Sequence, residues 1–178
     1  MQATLSSTAE RNLIEPSGLV RKFGRKICEA AGGAPILDVA CGTGRNAIFF
    51  SELGYDVFCA DRNLDGFKGH QSHGLSTVKL DFLIDPWPFG QCTLGGILNV
   101  HFLSSRLFPL FEKSLIPGGY LLLETVPGHG GNYLELPEAG MIKKILQTAF
   151  RLEFYKERHV GPEACKAVTV QTLARRIS

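Results

Sequence analysis

The chain has 178 residues, 44% of them apolar and 20% charged, with a formal charge of +2. That suits one domain with a sizeable core and excludes a disordered chain, while so small a charge gives no strong nucleic-acid signal. The five cysteines include no CxxC pair, so neither a zinc spacing nor a disulfide framework is legible and no metal site is expected. Residues 1–14 hold no apolar signal core, and no run reaches the ~20 apolar residues of a bilayer span. The expectation is a cytoplasmic protein with reduced thiols, away from the membrane.

Residues 1–14 read as a polar arm, and 15–178 as one domain. Over "EPSGLVRKFGRKICEAAGG", Pro16 and Ser17 open a helix with one apolar side, which Gly32 and Gly33 close. Short apolar runs then alternate with amphipathic segments. Strands are expected at 35–40, 56–60, 77–80, 94–100 and 119–125, and helices at 45–53, 63–70 and 102–115. Strands apolar on both faces and separated by helices imply a parallel sheet covered on each side, an α/β fold. The stretch "DPWPFG" between the third and fourth strands is too short to promise a helix. After a helix expected at 138–149, "FRLEFYKERHV" and "KAVTVQTLARR" alternate as strands do, and they suggest an antiparallel pair at a sheet edge.

The segment "ILDVACGTGRNAIFF" carries the first functional signal. It reads as a strand, a glycine turn and the start of a helix. In an open parallel sheet, ligands bind beyond the carboxyl ends of the strands. Gly42 and Gly44 allow a sharp turn and close approach of a ligand. The second strand ends at Asp61, nineteen residues after Gly42, a distance at which an acid can accept from both hydroxyls of a ribose. A nicotinamide dinucleotide and S-adenosylmethionine share this logic and differ in charge at the turn. The dinucleotide sets a pyrophosphate there, over the helix N-terminus, and the nearby Asp38 would repel it. S-adenosylmethionine brings a cationic amine and a sulfonium, which Asp38 favours. Asp81 and Phe82, after the third strand, can meet an adenine through the carboxylate and the ring.

These residues, with "KLDF" and "PGGYLLLET", resemble the class I S-adenosylmethionine-dependent methyltransferases over about residues 17–176. Within that class they resemble the compact bacterial small-molecule group that includes the tellurite-resistance type. The resemblance implies a Rossmann-like, doubly wound seven-stranded sheet of order 3-2-1-4-5-7-6 with strand 7 antiparallel. It also implies an enzyme whose cofactor is S-adenosyl-L-methionine. It assigns Asp38 and Gly42 to the methionine part, Asp61 to the ribose, Asp81 and Phe82 to the adenine, and Asn99 to the neighbourhood of the sulfonium. Ala40, Thr43, Gly44, Asn46 and Arg62 join the cofactor-binding set by position in the same motifs. Where many relatives carry an acidic-aromatic pair before strand 4, this chain has "QCTLGGILNV".

The acceptor side is less defined. His101, Ser104, Ser105 and Arg106 follow strand 4, and Glu124, His129, Asn132 and Tyr133 end or follow strand 5. His101 is the candidate catalytic base, because imidazole titrates near neutral pH. Arg45, Arg62 and Arg106 are candidates to meet an acidic acceptor. With no inserted domain and no basic tail, a small-molecule acceptor is expected, on a monomer or homodimer. The alternatives are a protein or RNA methyltransferase acting with a partner, a non-catalytic S-adenosylmethionine-binding regulatory protein, and a dinucleotide oxidoreductase.

Overall fold

The computed structural model describes residues 15–69, 72–126, 136–161 and 166–177. Helix α1, Gly18–Ala31, begins at Ser17, whose hydroxyl accepts from the Val20 amide (3.1 Å), and ends at Gly32 in the left-handed region. This is an N-cap and a C-terminal glycine, as the sequence implies. There follow β1 (Ile36–Val39), α2 (Arg45–Glu52), β2 (Val57–Asp61), β3 (Leu75–Lys79) and β4 (Leu94–Val100). A short 3-10 turn at Ser105–Leu107 leads into α3 (Phe108–Ser114), β5 (Leu115–Glu124), α4 (Met141–Leu146), β6 (Phe150–His159) and β7 (Val168–Arg176).

The strands form one sheet of order β3-β2-β1-β4-β5-β7-β6. The first five run parallel, and β7 pairs antiparallel with both β5 and β6. This is the expected topology. Two apolar layers cover its faces. Leu19, Val20, Ile27, Ala47 and Phe50 of α1 and α2 pack on Ile36, Val57, Leu98 and Leu122. Phe108, Phe111, Ile142 and Leu146 of α3 and α4 pack on Leu37, Val39, Ile97 and Leu123. Helix α1 lies unusually close to β4: a Cβ on Gly96 would stand 2.6 Å from Ile27 Cγ2, and one on Gly95 2.4 Å from the Ala31 Cβ. The "GG" of β4 is therefore a packing requirement.

Three expectations change, the first being the helix expected over 138–149, which shortens to Met141–Leu146. No α-helix forms over the described part of 63–70. There the Asn63 amide donates to Asp61 Oδ1 and the Asp65 amide to Asn63 Oδ1, both at 2.9 Å, so side chains take the amides a helix would use. The helix expected over 102–115 starts only at Phe108, after the 3-10 turn, and β5 begins at Leu115. Between β3 and β4 there is no helix, as the short stretch suggested. No helix among the described residues is long and apolar enough to cross a membrane. The arm 1–14, His129, Asn132, Tyr133 and Cys165 lie outside the described residues.

Candidate active site

The glycine turn and the loop after β2 are hydrogen-bonded into one unit. The Gly42 amide donates to Asp61 Oδ2 (2.8 Å), and the Lys68 amide donates to the Thr43 carbonyl (3.0 Å). Ala40, Gly42 and Gly44 all have positive φ, at 53°, 53° and 80°. The two glycines serve different ends. A Cβ on Gly44 would lie 2.4 Å from the Phe67 ring, whereas one on Gly42 would meet nothing within 4 Å. Gly44 lets the buried Phe67 seat under the turn, and Gly42 faces open space where a ligand can approach its backbone. Ala40 adopts a left-handed conformation that costs an L-residue roughly 1 kcal/mol; its methyl lines the cavity described below.

Asp38 is 1% exposed. The Ala47 amide serves its carboxylate, and Oδ2 has no partner among the described residues. Burial pushes its carboxyl up to about 7, against the pull of the Ala47 amide and the Arg45 charge. Asn99 is fully buried, and neither amide atom has a partner among the described residues. Register places Asp38 beside Leu98 and Asn99 beside Val39, so the two point to opposite faces of the sheet. Buried polar atoms left unpaired in this way are uncommon and concentrate where ligands or ordered water complete the bonding. The Asn46 side-chain oxygen Oδ1 is already engaged, accepting from the Ser17 amide at 2.9 Å and joining the start of α1 to α2.

A cavity of about 710 Å³ opens beyond the carboxyl ends of β1, β2 and β4. Of the residues expected from sequence, Ala40, Asp61, Arg62, Asp81, Phe82 and His101 line it. Asp38, Gly42, Thr43, Gly44, Asn46 and Asn99 are not among its lining residues. The Asp81 Oδ1 accepts from the Leu83 amide (2.9 Å). Phe82, only 4% exposed, packs against Trp87 and Phe102 with ring centroids 6.0 Å away. His101 also has positive φ, 65°, and its amide donates to the Glu124 carbonyl at 2.7 Å. Burial holds its imidazole below the usual histidine range; Glu124 pulls it up and Arg45 pushes it down. Two of the arginines have structural partners. Arg106 binds the carbonyls of Leu83 and Asp85, and Arg45 that of Glu15.

Part of the sequence and the whole fold match known proteins. The family model described as tellurite resistance protein TehB matches residues 26–79, from α1 through β3. The structure is similar to a SAM-dependent methyltransferase from Aquifex aeolicus, with a TM-score of 0.67 at 17% identity, covering 96% of this chain and 98% of that one. The chain has the fold of the class I S-adenosylmethionine-dependent methyltransferases. A TehB-like methyltransferase from Corynebacterium glutamicum is as similar, with a TM-score of 0.66, 18% identity and 96% of each chain covered. The 1,6-didemethyltoxoflavin-N1-methyltransferase of Burkholderia thailandensis, solved with its substrate and S-adenosylhomocysteine, gives 0.59 at 15% identity, covering 90% of this chain and 79% of that one. No curated protein sequence matches.

The remainder of the cavity wall in this methyltransferase fold was not named from sequence. It comprises Leu80, Leu83, Phe102, Leu103, Thr125, Val126 and Leu136. Most follow a strand end by one to three residues, so the rule that ligands sit beyond the strand ends points to the region. It does not say which of several loop residues turn inward. Leu136 comes from beyond the β5 loop, and only the tertiary fold brings it there.

Proposed function

We propose that this chain transfers a methyl group from S-adenosylmethionine to a small-molecule acceptor. The observation that carries the reading is the Asp61 carboxylate at the end of β2, facing the cavity while it holds the Gly42 amide. The surroundings fit the cofactor. Asp61 and Asp81 line one cavity, and the buried Asp38 Oδ2 has no partner among the described residues. The two cavity carboxylates, with Asp38 once it ionises, favour a cation and disfavour a pyrophosphate. Asp61 would hold the ribose, Asp81 and Phe82 the adenine, and Gly42 and Asp38 the methionine part, with Asn99 toward the sulfonium. When bound, the cofactor supplies a methyl group activated by the positive sulfur.

The chain's own contribution is positioning and, for some acceptors, proton removal. A cavity of about 710 Å³ lies within the range of small-molecule sites. His101 lines it with an imidazole held mostly neutral at neutral pH, the form that accepts a proton. His101→Ala is expected to slow methylation by roughly 10²-fold for acceptors that lose a proton, and to leave other acceptors nearly unchanged. The wild-type rate should rise with pH through a value below the usual histidine range, and the variant should lack that limb. A variant silent across all acceptors would leave catalysis to positioning alone.

The reading is tested by single-turnover transfer of labelled methyl to thiols, amines, phenols and metalloid oxyanions, with bulk RNA and unfolded protein in parallel. Transfer to a small molecule is expected. Transfer confined to RNA or protein would assign the macromolecular alternative, and cofactor binding without any transfer would assign a regulatory protein.

A further inference from the structure

A second cavity, about 260 Å³, adjoins the first and shares Thr125 and Val126 with it. Its floor is a row across three strands. Glu124 of β5 pairs with Gln171 of β7, and Gln171 with Lys156 of β6. One step along, Arg158 pairs with Thr169 on the same face. Glu124 is 9% exposed. Its Oε1 accepts from Gln171 Nε2 at 2.7 Å, while Oε2 is buried with no partner among the described residues. Lys156 and Arg158 are exposed and form no ion pair among the described residues. With strands ~4.8 Å apart, the anionic and cationic ends of the row are roughly 10 Å apart at the backbone, and long basic side chains shorten that gap.

An unpaired buried carboxylate oxygen asks for a donor, and a cation satisfies it best. The two unpaired basic side chains across the same small cavity ask for an anion. We propose that this cavity is the recognition subsite of the methyl acceptor, and that it takes a small zwitterionic acid. The acid group lies against Lys156 and Arg158, the ammonium group donates to Glu124 Oε2, and the rest passes over Thr125 and Val126 into the larger cavity. The assignment to an acceptor rests on the methyl-transfer reading; the zwitterion site itself does not.

The test therefore measures binding first. The full chain, isotopically labelled for NMR, is titrated with L-alanine, L-alaninamide and N-acetyl-L-alanine, with S-adenosylhomocysteine titrated in parallel. L-alanine should shift the amides of Thr125, Lys156, Thr169 and Gln171 and bind at least about tenfold more tightly than either analogue, each of which lacks one charge. Glu124→Gln should erase the preference over N-acetyl-L-alanine. Lys156→Ala with Arg158→Ala should erase the preference over L-alaninamide. Both variants should retain S-adenosylhomocysteine binding, which also verifies that they fold. Equal binding of the three probes, no binding, or shifts confined to other residues would overturn the subsite. Loss of S-adenosylhomocysteine binding in the wild type would overturn the methyl-transfer reading and leave the zwitterion result to stand or fall alone.

Discussion

Asp61→Ala is expected to weaken S-adenosylhomocysteine binding by about 2–3 kcal/mol, roughly 30- to 150-fold, the range for hydrogen bonds to a charged group. The structure adds a second route to that loss. Asp61 Oδ2 holds the Gly42 amide and Oδ1 the Asn63 amide, so the alanine removes ribose acceptors and also releases the turn. Both amides lie near solvent, and water replaces the lost bonds in the free protein. The melting temperature should therefore change little. Asp61→Asn keeps one carbonyl acceptor and should fall between. Calorimetric titration of both variants checks this; unchanged affinity would remove Asp61 from the site.

Asp38→Asn is expected to separate stability from binding in opposite directions. Burial raises the folded-state carboxyl to about 7, above its ordinary 3.8. The fold therefore prefers the neutral acid, and stability falls as pH rises from the ordinary carboxylate range to about 7, then stays level. Asparagine is neutral throughout. After allowance for its own imperfectly bonded amide, it should stabilise the free protein by about 1–2 kcal/mol near pH 8, a gain of roughly 2–8 °C. That advantage should vanish below about pH 4, where the wild-type acid is protonated both folded and unfolded. Binding should move the other way, weakening about tenfold or more as the negative charge under the turn is lost. A cationic ligand favours the carboxylate, so wild-type binding near pH 7 should release a proton, and the variant should release none. Thermal denaturation against pH and calorimetry in buffers of different ionisation heat measure the two halves.

The sheet was legible because β1 and β4 are apolar on both faces, β6 and β7 alternate, and its turns are marked by glycine. "DVACGTG" and "VFCADRN" mark the turn and its acid in the sequence itself. The segment 63–70 misled, because its apolar spacing suits a helix while Asn63 and Asp61 take the backbone amides into turns. Gly42 and Gly44 look alike in sequence. Only packing shows that one clears the Phe67 ring and the other faces open space. That Asp38 is almost fully buried, with the Ala47 amide as its partner, is a depth that a strand-end position does not specify. The pairing of Glu124 with Gln171 depends on the register of antiparallel strands 47 residues apart in sequence, which local pattern cannot supply.

The central claim is a positively charged nucleoside ligand at the Gly42–Asp61 turn, and one measurement tests it most directly. The purified protein is titrated calorimetrically with S-adenosylmethionine, S-adenosylhomocysteine and NAD. S-adenosylmethionine and S-adenosylhomocysteine should bind at one site with dissociation constants below about 100 μM, while NAD should not bind measurably at tenfold higher concentration. Binding of NAD, with neither of the other two ligands bound, would contradict the account.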